Sequence, residues 1–422
     1  MSADKTAEVF AFSASTLTRP KFKTLPPLSL YVHIPWCLKK CPYCDFNSHE
    51  ARGDVPQDAY VDALLKDLEV ALPSIWGRKV LSIFIGGGTP SLFAPSSIDK
   101  LLSGIRARVP LYPDAEITLE ANPGTFERAR FDGYYAAGVT RLSIGVQSFD
   151  PRHLRALGRV HDADEARRAV EAALMIFETV NLDLMYALPG QTLDDAQRDL
   201  EAALRLAPQH LSFYHLTIEP NTLFHRYPPP LPDDDTAADM EQLIDTTLAH
   251  AGFFHYETSA YAQPAHECRH NINYWRFGDY LGIGAGAHSK LSFADAIVRQ
   301  MRWKQPQQYL ARAAKGVPVQ EEAEVTRADV GFEFMLNALR LAEGVPTSLF
   351  SERTGFSLSL VSREIEIACR KGLLEPDPAV IKPTALGRRF LNDLQQIFLP
   401  DPKPARKRVA SLVRLEATGV ER

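Results

Sequence analysis

Leu28-Ser-Leu-Tyr-Val-His-Ile34 runs straight into Pro35-Trp-Cys37-Leu-Lys-Lys-Cys41-Pro-Tyr-Cys44. The first seven residues are mostly apolar, include β-branched and aromatic members, and are too few for a helix, so they read as a buried strand. The second stretch holds three of the chain's five cysteines within eight residues. Three thiolates cannot fill every corner of a cubane [4Fe–4S] cluster, each iron of which takes one outside ligand. One iron is left open, and an open metal position is a place for a substrate or cofactor to bind. Two other readings stand beside this one: a disulfide pair with a spare thiol, and a zinc site completed by His33 or His49. The disulfide reading is weakened because the residues before the strand lack the apolar segment of a secretory signal.

Outward from this stretch the sequence alternates short apolar runs with amphipathic ones. Strands are expected at Leu28–Ile34, Val80–Ile85, Glu116–Ala121, Arg141–Val146, Asn181–Tyr186 and Leu211–Leu216, with one more at Phe254–Ser259. Helices are expected at Gln57–Leu72, Ser97–Val109, Phe126–Ala137, Ala163–Phe177, Leu193–Leu206 and Asp239–Ala251. Strand–helix units at this spacing imply parallel strands with right-handed crossovers. About six units fall short of the eight in a closed barrel, so the fold class is α/β, a partial, open β/α TIM-like barrel. After about residue 323 the rhythm changes. Helices at Ala328–Leu341, Leu360–Lys371 and Ala385–Phe398, with a two-stranded wing at 373–384 between the last two, make a C-terminal helical domain of winged-helix character. The expected organisation is a flexible N-terminal extension over 1–24, a barrel domain over 25–300, the helical domain over 323–400 and a basic tail over 401–422.

Composition narrows the function classes. With 45% hydrophobic and 23% charged residues over 422 positions, the chain reads as an ordinary globular protein of one large domain with an appendage. No apolar run approaches the roughly 20 residues of a membrane span. A net charge of −5 argues against nucleic acid as the main partner, and the appendage lacks a basic recognition helix. The expected location is the cytoplasm.

The unusual residues fall at the C-terminal ends of the strands, where barrels build their sites. The cysteine loop follows the first strand and Gly86-Gly-Gly-Thr-Pro90 the second, a backbone that can approach a ligand closely and offer N–H groups to a carboxylate. Glu120 with Asn122-Pro123 closes the third, Gln147 the fourth, Asp183 and Tyr186 the fifth, and Tyr214, His215 and Thr217 lie along the sixth. Polar groups at the same end of so many strands point to one pocket for a small, polar, multi-handled ligand. Of the two remaining cysteines, Cys369 falls in an apolar helical pattern and reads as buried packing. His266, Cys268 and His270 alternate in a way that offers a metal chelate.

Together these residues resemble the radical S-adenosylmethionine superfamily, whose C-x3-C-x2-C motif holds a [4Fe–4S] cluster. That resemblance implies that the open iron chelates the methionine end of S-adenosylmethionine and that Gly86–Gly88 receive its amino group. Tyr31-Val-His-Ile-Pro-Trp-Cys, Gly-Gly-Gly-Thr-Pro, Glu120-x-Asn-Pro, Gly145-Val-Gln-Ser-Phe and Asn181-Leu-Asp-Leu-Met-Tyr-x-Leu-Pro-Gly narrow it. They are similar to the oxygen-independent coproporphyrinogen III oxidase family, over roughly residues 25–400. The resemblance places Tyr31, Gly87, Glu120 and Ile283 at a first cofactor site. It places Tyr43, Gly88, Thr89, Gln147, Arg159 and Asp183 at a second. The run Tyr280–Ser289 is expected to close the cofactor pocket.

One departure separates branches of that family. The oxidase branch carries a fourth cysteine two residues past the third, and here that position is Phe46. The Cys-Asp-Phe-Asn form resembles the haem-chaperone (HemW) branch, as does His270-Asn-Ile-Asn-Tyr-Trp275, an H-N-x-x-Y-W motif associated there with haem. The implied function is a haem-binding and transfer protein, with the cluster and S-adenosylmethionine as cofactors and His270 as a haem ligand. Implied partners are haem-accepting proteins, with respiratory proteins as one class, an electron donor for the cluster, and a membrane surface contacted peripherally. The alternatives are a coproporphyrinogen III dehydrogenase and a radical enzyme on another substrate.

Overall fold

The apolar run that ends at the cysteine loop forms β1 (Leu28–Ile34), buried along both faces as a parallel strand between covering helices should be. In this computed structural model, residues 19–124 and 127–400 are described; the basic tail and most of the N-terminal extension lie outside the described residues. Strands β2 (Val80–Gly87), β3 (Leu111–Ala121), β4 (Arg141–Gln147), β5 (Thr179–Tyr186) and β6 (His210–His215) follow β1 in sequence and in space. All five neighbouring pairs are parallel. The crossovers carry α1 (Gln57–Ala71), α2 (Pro95–Arg106), α3 (Glu127–Ala137), α4 (Ala163–Leu174) and α5 (Leu193–Arg205). Local signals start two of these cleanly: Asp162 with Glu165, and Thr192 with Asp195, form reciprocal capping boxes.

The six expected units are therefore present, and the sheet extends beyond them on both sides. Beyond β6 come β7 (Phe254–Glu257) and β8 (Ala260–Ala262), antiparallel, with β8 next to β6; α6 (Asp234–His250) precedes them. Beyond β1 lies β9 (Asp279–Ile283), parallel to it, then β10 (His288–Ser292), β11 (Ile297–Arg302) and β12 (Val319–Glu324) as an antiparallel meander. The sheet ends at β12 on one side and β7 on the other, so it stays open.

The run Tyr280–Ser289 thus belongs to this extension and does not close the pocket. Its glycines serve backbone contact instead: a Cβ on Gly284 would sit 2.4 Å from the His33 carbonyl oxygen, and one on Gly286 would meet Asn47. The run braces the end of β1 and the far side of the cysteine loop.

Short helix α7 (Arg269–Trp275) packs across β1, β2 and β9 at the N-terminal end of the barrel. A second apolar core, around Phe334, Phe350 and Leu394, carries the C-terminal helices and takes in Phe277 and Ile297 beside β9 and β11. The expected helix at 385–398 is broken into Ala385–Arg389 and Leu391–Gln396. The wing is reduced to a single bridge between Leu374 and Pro383, while Val380–Ile381 pairs with Val345–Pro346. Cys369 is half-buried at the edge of this core, less enclosed than its apolar surroundings suggest. Among the described residues, no helix is long and apolar enough to cross a membrane.

Candidate functional site

The C-terminal mouth of the barrel opens into a cavity of about 670 Å³ whose wall includes Cys37, Cys41 and Cys44. Their loop is tied at its base, where Trp36–Cys37 pairs with His49–Glu50 and the Ala51 N–H donates to the Cys37 carbonyl. Asn47 fixes its far side, donating to the carbonyls of Ala285 and Lys304, while the Asn47 carbonyl meets His33 Nε2 at 2.9 Å. All three thiols are free and partly exposed; burial is the main reason the Cys37 thiol sits above its ordinary value.

A single tetrahedral zinc ion at Zn–S distances of about 2.3 Å would bring its sulfurs within about 3.8 Å of one another. Among the described residues, the groups whose ligand atoms all lie within 4.8 Å are Glu116–Cys268–His270 and Asp150–His153–Asp195. The three loop thiols form no such group. As placed, their sulfurs are not gathered around one small ion, whereas a polynuclear cluster takes each sulfur on its own iron. His33 is no fourth ligand, because its Nδ1 meets Tyr31 Oη at 2.7 Å and its Nε2 is held by Asn47. Phe46 also lines the cavity, with 62% of its surface exposed. Alanine at Cys41 is expected to abolish the visible absorption and bound iron of reconstituted protein. Its melting temperature without iron should move little, which differential scanning calorimetry checks.

The glycine turn at the end of β2 is demanded by its neighbours. Gly87 adopts φ +117°, and a Cβ there would lie 2.6 Å from the His33 ring; one on Gly88 would lie 2.6 Å from the Trp36 carbonyl oxygen. The turn does not present N–H groups to a ligand carboxylate. The Gly87 N–H donates to Glu120 at 3.0 Å, Gly88 to Ile34 O at 2.7 Å and Thr89 to Trp36 O at 2.8 Å. What this backbone retains for a ligand is acceptor oxygen, which suits an amino group.

Across the cavity stand two acids. Burial first, then the charge of Asp183, pushes the Glu120 carboxyl up to about 8. Burial likewise raises Asp183, against hydrogen bonds from Ser143 at 2.9 Å and Asn181 at 2.8 Å. Gln147 lines the wall at φ +68°, a strained conformation for a side-chain-bearing residue, at the point where the β4–β5 register shifts. Tyr43 packs beside Phe224, and burial raises its phenol. Arg159 donates from Nη2 to Asn122 Oδ1 and to the Gly145 carbonyl, both at 2.7 Å, and its Nη1 lies 3.7 Å from Cys41 Sγ. Asn122 in turn donates to Thr89 Oγ1 at 3.0 Å. Asn122 stood in the Glu120-x-Asn-Pro motif, but its linking role rests on contacts that spacing does not show.

Not every expected residue reaches the cavity wall. Tyr31 lies beneath it, 5.5 Å between ring centres from Phe84. Gly86 lies against Glu120, which a Cβ would crowd to 3.0 Å. Ile283 is fully buried on β9 beside Val32. His270 is the larger departure. It is 4% exposed on α7, stacked on Phe84 with ring centres 4.3 Å apart, and its Nδ1–H donates to Glu116 at 2.9 Å. The Cys268 sulfur lies 3.0 and 3.3 Å from its two ring nitrogens. Backbone N–H groups of Arg269 and His270 also donate to Glu116, so this strand carboxylate caps the first turn of α7. The H-N-x-x-Y-W motif therefore plugs the barrel floor: Asn273 donates to Ser29 Oγ at 2.9 Å and to the Asp279 carbonyl. With Nδ1–H given to Glu116, the ring's lone pair is on Nε2, which lies 3.3 Å from the Cys268 sulfur inside the floor. His266 is apart from the cluster, bonded to Thr179 at 2.8 Å, and Glu116 takes its place in the chelate expected with Cys268 and His270.

The sequence profile of the radical SAM superfamily matches residues 31–203, and that of the HemN C-terminal domain matches residues 325–390. The chain is 48% identical over 379 residues to "Heme chaperone HemW" of Escherichia coli (strain K12), covering 89% of this chain and 99% of that protein. It is 49% identical over 383 residues to the protein of the same name from Haemophilus influenzae, with the same coverage. Among solved structures, coproporphyrinogen III oxidase (HemN) from Escherichia coli, described as a radical SAM enzyme, aligns with a TM-score of 0.77. That alignment has 26% identity and covers 89% of this chain and 90% of that one. Near-complete coverage at almost half identity settles the kinship: the chain belongs to the HemW family of the radical SAM superfamily.

Proposed function

We propose that this protein is a radical SAM-type haem chaperone, binding haem and passing it to haem-requiring acceptors. The observation that carries the reading is Phe46. At the position of the oxidase branch's fourth cysteine, the chain places an exposed apolar side chain on the cavity wall. Relatives named as haem chaperones, matched from end to end, support the same reading.

On this reading Cys37, Cys41 and Cys44 hold a [4Fe–4S] cluster, and the cavity takes S-adenosylmethionine. The bound pair supplies one-electron chemistry to the site. The chain's own residues orient and shield it. The acceptor oxygens of the glycine turn receive an amino group. Glu120, protonated near neutral pH in the free site, gives up its proton as a cationic ligand arrives. Arg159 and Asn122 fix the wall nearest the cysteine loop. An electron donor for the cluster and haem-requiring acceptors are the partners this reading implies.

Titrating the reconstituted chain with haem under anaerobic conditions tests the proposal. A Soret shift that saturates near one haem per chain is expected, together with no protoporphyrinogen when coproporphyrinogen III and a reductant are supplied. Absence of a Soret change, or sustained turnover of coproporphyrinogen, would reverse the assignment.

A further inference from the structure

We infer that Arg159 is a positioning residue for electron entry, setting the cluster's reduction potential through Cys41; this rests on the cluster assigned to the three cysteines above. The guanidinium is held from two directions. Its Nη2 donates to Asn122 Oδ1 from the end of β3 and to the Gly145 carbonyl on β4, each at 2.7 Å. That grip leaves Nη1 3.7 Å from Cys41 Sγ, within hydrogen-bonding range of sulfur. The backbone just before it is fitted to the same loop. Gly158 adopts φ +68°, and a Cβ there would come within 2.9 Å of Pro42. The segment bearing Arg159 is thus seated directly against the residue that follows Cys41.

A cluster's thiolate ligands gain negative charge on reduction. A cation and an N–H donor aimed at one of those sulfurs stabilise the reduced form more than the oxidised form, and so raise the potential. The cysteine loop's own charges are arranged differently. Lys40 points its ammonium at the carbonyls of Phe46 and Ser48. The other sulfur contacts of the loop are neutral hydroxyls: Ser48 lies 3.6 Å from Cys44 Sγ, Thr89 and Ser48 bond to Cys37, and the Tyr43 phenol bonds to Cys41. Arg159 brings full charge to a sulfur, and it comes from a different part of the barrel. Its Nε is buried with no hydrogen-bond partner, so the group also has a donor left for a bound ligand. A role at the potential and a role in holding cofactor therefore need separate readouts.

The experiment uses the full chain, reconstituted anaerobically without S-adenosylmethionine, and follows the reduced cluster by electron paramagnetic resonance across a series of poised potentials. Wild type is compared with Arg159→Gln, Arg159→Lys and Asn122→Ala, the last freeing the guanidinium without removing its charge. Iron and sulfide content and melting temperature establish that each variant is folded and loaded. Arg159→Gln is expected to lower the ratio of reduced to oxidised cluster at fixed poise about tenfold, or about 59 mV for a one-electron couple. Asn122→Ala should shift it in the same direction by less, and it decides the matter if Arg159→Gln fails to assemble a cluster. Unchanged potentials in fully loaded variants overturn the inference, and a loss of S-adenosylmethionine affinity alone would then assign Arg159 to cofactor holding. A wild-type chain that assembles no cluster would instead remove the cluster reading itself.

Discussion

Glu116→Ala is expected to destabilise the protein by about 3–5 kcal/mol, the usual cost of removing one partner from a buried charged network. Glu116 is nearly enclosed on β3 and accepts from the His270 ring and from the backbone N–H groups of Arg269 and His270. Burial alone would push its carboxyl up. The hydrogen bond and charge of His270, then the charge of Arg141, outweigh that and hold it at about 2. Burial keeps His270 below its ordinary value, so its charge joins only at acid pH; at neutral pH the ring is an uncharged donor and the buried Arg141 is the countercharge. Removing the carboxylate uncaps α7 and strands Arg141 in the barrel. Because the folded value lies below the ordinary 4.5, the contribution is complete above that pH and fades as pH falls towards about 2. Urea melts of wild type and variant at pH 7 and pH 3 check both size and sign. The same experiment bears on haem. If His270→Ala loses haem affinity and melting temperature together, the floor has failed; loss of affinity at unchanged stability would show the ring reaching iron.

Glu120→Gln is expected to do the opposite, stabilising the fold by about 3 kcal/mol near pH 7 while weakening S-adenosylmethionine binding more than tenfold. The folded carboxyl is raised from 4.5 to about 8, chiefly by burial and then by Asp183. An unfolded chain ionises this group above pH 4.5 and the folded chain does not, so folding is penalised progressively from pH 4.5 to about 8. Glutamine keeps an oxygen for the Gly87 N–H and removes the penalty. The gain should be absent below pH 4.5 and complete by about pH 8, which melts at those two values will show. Equilibrium dialysis with S-adenosylmethionine measures the loss. A site that holds two acids so close is poised for a cationic ligand, and the free protein bears the cost in stability.

Much of the barrel was legible because its strands are short apolar runs bounded by turn residues. Leu28–Ile34 is a strand over the expected residues, and Asn181–Tyr186 differs only by two residues at its start. Strands β9 to β12 were not legible. Their residues are mixed in polarity, with Lys290 and Arg302 fully buried, and each cation is compensated by an aspartate remote in sequence or across a turn, Asp67 for Arg302 and Asp279 for Lys290. A buried lysine reads as exposed until its partner is known. The strand-end residues were legible as a group because parallel topology sends every strand's C-terminal end to one mouth. The burial of His270 was not legible because a motif gives spacing but not depth. Its neighbour Glu116 lies 154 positions away.

Composition and periodicity were enough to read the cysteine triplet, the parallel order of the six strands and the mouth at which their polar ends meet. These follow from local composition and periodicity, which short-range sterics and hydrophobic burial enforce. Tertiary structure alone decided which side chains share space: Arg159 beside Cys41 through Asn122, Glu120 facing Asp183, and His270 sealed on Glu116. Such contacts join segments far apart in the chain, and their energies depend on burial and on distances of a few ångströms that no spacing encodes.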